Sequence, residues 1–131
     1  MANNTKQMKW VGWAMTVLGV LPFLPSAFLK ISQAPMVMDN WPKSGFPIST
    51  VVPIGIAEIL CIVLYLVPQT SILGAALTTA YLGGAVASHI QQSQSFLIPI
   101  VCGVLIWGGL TLREPRLRAI FPLRCKSKSP A

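Results

Sequence analysis

The stretch ILGAALTTAYLGGAVASHI, residues 72–90, decides how the chain is read. Its 19 residues carry no formal charge and include the chain's only histidine, His89. As a helix it places Ala76, Ala80, Gly84 and Ser88 at successive i+4 positions, so one stripe is almost entirely small. Small stripes let a second helix approach closely in a membrane, where packing rather than hydrophobicity drives association. The neighbouring stripe holds Leu77, Tyr81, Ala85 and His89, with two polar ring tips on one side. The expectation is a membrane-spanning helix that packs tightly by its small face and offers polar chemistry beside it.

Composition widens that reading to the whole chain. Of the 131 residues, 53% are hydrophobic and only 10% charged, and the mean hydropathy is +0.66. Long apolar runs with so few charges indicate an integral membrane protein surrounded by lipid. The net charge is +7, but eight of the ten basic residues sit in the two tails: Lys6, Lys9, Arg113, Arg116, Arg118, Arg124, Lys126 and Lys128. That distribution suits anchoring and orientation at a membrane, not phosphate readout, and argues against nucleic acid as a partner. Cys61, Cys102 and Cys125 form no CxxC pair, so neither a disulfide framework nor a zinc motif is present, and no metal site is expected.

Outward from residues 72–90, four spans appear, at about 10–31, 49–67, 72–91 and 96–112. The first opens on Trp10 and Trp13 as interfacial anchors, and its Pro22 and Pro25 predict a kink. Residues 1–8 read as a frayed polar lead. A signal peptide is the rival reading of this region, but the run is long and no small-residue cleavage site follows. Residues 31–48 read as the longest non-helical stretch, broken by Pro35, Pro42, Gly45 and Pro47, and fit a lid, a docking surface or a plain connector. The second span carries Glu58, and Pro68-Gln69-Thr70-Ser71 makes a tight turn into the third. The fourth contains Gly103, Gly108 and Gly109. Short links predict an all-α, integral membrane, up-down four-helix bundle, a single membrane domain over 1–131 with a basic cytoplasmic tail from 113. The basic tails put both termini in the cytoplasm and the loop around Lys43 outside. The segment Arg116–Leu123 alternates basic and apolar residues, as a short interfacial piece would.

Ionisable groups inside a membrane are costly and by default mark function. The spans hold Lys30, Glu58 and His89, with Ser26, Tyr65 and Tyr81 as uncharged polar companions. Glu58 lies about nine residues into its helix, roughly 13 Å deep. Ser26 and Lys30 are four apart on one face, and Tyr81 reaches a similar depth on the next span. Ser26, Lys30, Glu58, Tyr81 and His89 are therefore the candidate polar pocket, in one interior opening outward beneath the long loop. Three uses remain open for it: an ion pair that locks helices together, a pocket for a small quinone-like or lipid ligand, or a proton relay.

Several short motifs in fixed order carry a resemblance. They are Ser26-x-x-x-Lys30, Gly45-Phe46-Pro47, Gly55-Ile56-Ala57-Glu58, Pro68, Tyr81-Leu82-Gly83-Gly84-Ala85-Val86-Ala87-Ser88-His89, and Leu112-Arg113-Glu114-Pro115-Arg116-Leu117-Arg118 followed by Pro122-Leu123-Arg124. Over roughly residues 10–124 the chain resembles the DoxX-like family of small bacterial membrane proteins. The resemblance implies four transmembrane helices in the bacterial inner membrane. Some relatives are linked to thiosulfate:quinone oxidoreduction or to membrane-bound oxidative-stress complexes, and the family is functionally heterogeneous. Three functions stay open: a membrane subunit or ligand-binding module associated with a redox complex, a small enzyme doing acid–base chemistry on a lipophilic substrate, or a structural subunit of a larger assembly. Other membrane or redox subunits and a second copy of the chain are the possible protein partners.

Overall fold

The computed structural model describes residues 2–123, which form an all-α protein with no strand among them. Residues 124–131, with Cys125 and half of the basic tail, lie outside the described residues. The first span is two helices, α1 (Ala2–Val20) and α2 (Phe23–Ile31). Pro22 and Pro25 supply no N–H to the helix ladder, and the break falls at Leu21-Pro22. The Leu21 amide still donates to Val17 O at 2.9 Å, so the expected kink is a local one. From Ala2 onward the polar lead is helical rather than frayed, because an established helix extends at the cost of one residue per added hydrogen bond.

The stretch after α2 also departs from expectation, since it is largely helical. Ala34 is extended, as a residue before proline prefers, and Pro35 opens α3 (Pro35–Asn40) at a position that needs no N–H. A 3-10 turn, Trp41–Ser44, ends at Gly45, whose φ of 82° suits glycine. A second 3-10 turn, Ile48–Thr50, leads into α4 (Val51–Leu66). The Trp41 indole donates to Pro47 O at 3.1 Å and to Thr50 Oγ1 at 3.2 Å, which ties this segment back onto the start of α4. Beyond the turn at 67–70 come α5 (Ser71–Gln91), α6 (Leu97–Arg113) and the short α7 (Pro115–Arg118). The Glu114 carboxylate caps α7 by accepting from the Arg116 amide, and Leu117 tucks into the core.

Helix α1 packs on α6, α2 on α4, α4 on α5, and α5 on α6. The shared core includes Phe23, Ile62, Tyr65, Ala75, Ile106 and Leu110. Leu18, Phe28, Leu60, Leu73, Ile98 and Val104 point outward and are exposed, as lipid-facing side chains are. Three helical stretches, Asn3–Ile31, Ile48–Leu66 and Ser71–Gln91, are long and apolar enough to cross a membrane, and Leu97–Arg113 is a shorter apolar helix of 17 residues.

The small stripe of α5 is not a packing seam. Ala76, Ala80 and Gly84 are exposed, and the face against the other helices carries Gly74, Ala75, Thr78 and Leu82. The tight turn sets this rotation, because it brings α5 so near α4 that a Cβ on Gly74 would lie 2.1 Å from the Tyr65 amide nitrogen. Close approach recurs between α1 and α6, where a Cβ on Gly12 would sit 2.9 Å from Gly109 O.

Candidate functional site

The site begins with a glycine. A Cβ on Gly55 would come within 3.0 Å of Lys30 Cβ and 3.0 Å of Ile31 Cγ1, so its absence lets α2 lie close against α4. One turn further along α4 stands Glu58, whose side chain is 2% exposed. Lys30, on the last turn of α2, directs its ammonium inward to Glu58 Oε2 at 2.8 Å. The same nitrogen donates to Ser26 Oγ at 2.5 Å and to Tyr81 OH at 2.9 Å. An ammonium has three protons, and all three are taken by acceptors from α2, α4 and α5. Phe23 packs against the Tyr81 ring at 5.9 Å between centroids and shields the inner side of the cluster.

Four of the five candidate residues therefore meet: Ser26, Lys30, Glu58 and Tyr81. His89 stands apart from that network. Its Nδ1 is 2.7 Å from Ala85 O, and since a carbonyl only accepts, Nδ1 carries the proton. In the neutral ring Nε2 is then an acceptor.

Between the cluster and the Pro35–Ser44 segment lies a cavity of about 520 Å³. One wall is the α5 stripe of Ala80, Gly84 and Ser88, and the opposite side carries Met36, Trp41 and Phe46. A Cβ on Gly84 would meet nothing within 4 Å, so this small residue borders space that no helix fills. Along α5, Tyr81 and His89 both line the cavity and are about 12 Å apart by helical rise. Lys30 and Tyr81 form its polar inner end, and His89, Gln92 and Gln94 its polar outer end.

Tyr65 belongs elsewhere. Seven residues beyond Glu58 on α4, its hydroxyl donates to Ile106 O at 2.7 Å and lies 3.1 Å from Thr16 Oγ1. At this opposite end the Arg113 guanidinium sits 4.5 Å from the Trp13 ring centroid and 4.8 Å from that of Tyr65, and donates to Tyr65 O at 3.1 Å. Sequence reasoning missed this assembly. Its one signal was Thr16 four residues after Gly12, a polar residue within an apolar run. Among the described residues, no group of three histidine, cysteine or acidic side chains is placed to hold a metal ion.

A family model described as the DoxX-like family matches residues 5–109, which takes in Ser26, Lys30, Glu58, Tyr81 and His89. The chain belongs to the DoxX-like family. With its apolar helices, this makes the DoxX-like chain a multi-pass integral membrane protein in a lipid bilayer. No curated protein and no solved structure matches it. The match stops before Arg113, so the basic end of this DoxX-like protein lies outside it.

Proposed function

We propose that this DoxX-like protein is a membrane-embedded binding module for a small lipophilic ligand, quinone-like or lipid, serving a larger redox assembly. The observation that carries the reading is the 520 Å³ cavity, which has an apolar middle and a polar inner end at Lys30 and Tyr81. Ligand pockets share that pattern of an apolar lining with a few convergent polar groups. In this reading the four apolar helices form one membrane domain, an up-down bundle in the bacterial inner membrane with both termini cytoplasmic. The cyclic order of helix neighbours and the basic residues gathered near Arg113 support it.

Gly84→Leu tests the proposal, because it fills the cavity from a position with no neighbours to displace. Mild purification and native mass spectrometry should find a small lipophilic molecule on the wild type and none on Gly84→Leu, at unchanged thermal stability. Retention by the variant, or an empty wild type, overturns the reading. A second reading, acid–base catalysis on a lipophilic substrate, is favoured by one contact: Lys30 donates to a Tyr81 hydroxyl that also lines the cavity. Turnover of the bound molecule, lost in Tyr81→Phe while binding persists, would favour the enzyme.

A further inference from the structure

The inner end of the cavity holds a lysine, yet its charge is already matched. Lys30 is 13% exposed and Glu58 behind it 2%, with the ion pair at 2.8 Å. The three protons of Lys30 are given to Ser26, Glu58 and Tyr81, so none remains for a guest. Asn40, Ser44, Ser88, Gln92 and Gln94 along the walls are uncharged. With His89 in its neutral form, the cavity therefore presents a polar surface without net charge, in which the Tyr81 hydroxyl at the inner end and the amides and His89 Nε2 at the outer end are the groups a guest can meet.

We propose that the cavity selects uncharged amphiphiles with a hydroxyl or carbonyl head, and that Glu58 is the residue that sets this specificity. The inference rests on reading the cavity as a ligand site. A lysine alone in an apolar pocket would attract a carboxylate-headed guest such as a fatty acid. Here such a guest loses its hydration, meets a lysine whose protons are occupied, and feels Glu58 directly behind it. An ammonium head loses hydration too and faces Lys30 first. A hydroxyl head is cheap to desolvate by comparison, and needs only one partner able both to donate and to accept.

Three probes of one chain length separate these cases: 1-octanol, octanoate and octylammonium. Each is titrated calorimetrically into the full chain in phosphatidylcholine nanodiscs, and the signal from cavity-filled Gly84→Leu discs is subtracted as lipid partitioning. Octanol should bind saturably and about tenfold or more tighter than either ion. Glu58→Gln keeps the shape while removing the charge, and should bring octanoate up to or past octanol, with octylammonium still weak. Octanoate matching octanol on the wild type, or a ranking untouched by Glu58→Gln, overturns the proposal. Should Glu58→Gln fail to fold, the ranking on the unaltered chain decides alone. Equal signals from wild type and Gly84→Leu for all probes would remove the ligand site itself and this inference with it. Binding without discrimination would remove only the charge filter.

Discussion

Lys30 and Glu58 share one ion pair but stand in unequal surroundings. Lys30 is partly exposed at the cavity and keeps Ser26 and Tyr81 as partners if the carboxylate goes. Glu58 has almost no exposure, so without Lys30 its charge is stranded. Glu58→Ala should therefore cost less than Lys30→Ala, which should destabilise by about 3 kcal/mol, since removing one partner of a buried pair leaves an uncompensated charge. Reversible unfolding in mixed micelles should show the double variant costing less than the sum of the two, a coupling expected of residues in contact. Strictly additive losses would mean the pair does not hold the helices. At this scale the site was legible to the extent that helical spacing carried it. Ser26 and Lys30 are four apart, and depth alone placed Glu58 level with Tyr81. His89 and Tyr65 were not separable from the cluster, because their depth along the helices does not say which way the side chains turn.

The helices make the same point through their glycines. Gly74 and Gly84 lie on one helix, ten residues apart, and neither is marked in the sequence as the tighter. A Cβ at Gly74 would collide with Tyr65 backbone at 2.1 Å, an obstacle that cannot rotate away, whereas one at Gly84 meets open space. Gly74→Ala should destabilise by roughly 1–3 kcal/mol or more through forced separation of α4 and α5. Gly84→Ala should be neutral or slightly stabilising, by up to about 1 kcal/mol, through the better helix propensity of alanine. Paired thermal melts in one detergent check both signs, and equal effects would contradict the packing described. Gly84 also recasts the stripe that first suggested a tight seam: with Ala80 and Ser88 it lines a cavity instead of receiving a helix.

Across the whole molecule the two ends differ in charge. Lys9 and Arg113 line one small pocket together with Glu114, and Arg118 reaches Met8, so basic residues of the first and last spans outnumber the acidic one at this end. The opposite end holds the Pro35–Ser44 segment, the mouth of the cavity and Lys43 as an exposed cation. In the orientation we propose, the positive-inside rule puts the Arg113 end in the cytoplasm. In intact cells, an impermeant thiol reagent should label Lys43→Cys and Gln92→Cys but spare Lys6→Cys, each made in a cysteine-free background. Labelling at Lys6→Cys alone would invert the protein and turn the cavity mouth toward the cytoplasm.

By itself the sequence determined what depends on composition and order along the chain. Runs of apolar residues need lipid around them, prolines break a helix where they stand, and an ionisable side chain deep in an apolar span must find a partner. From these came the membrane class, the helical spans, the kink at Pro22 and the meeting of Lys30 with Glu58. The tertiary structure decided what depends on how each helix is rotated about its own axis. Rotation follows from side-chain contact between helices distant in sequence, as where Gly74 meets Tyr65 and Gly12 meets Gly109. Only that rotation turns Tyr65 toward Ile106 and leaves Ala80, Gly84 and Ser88 facing a space large enough for a guest.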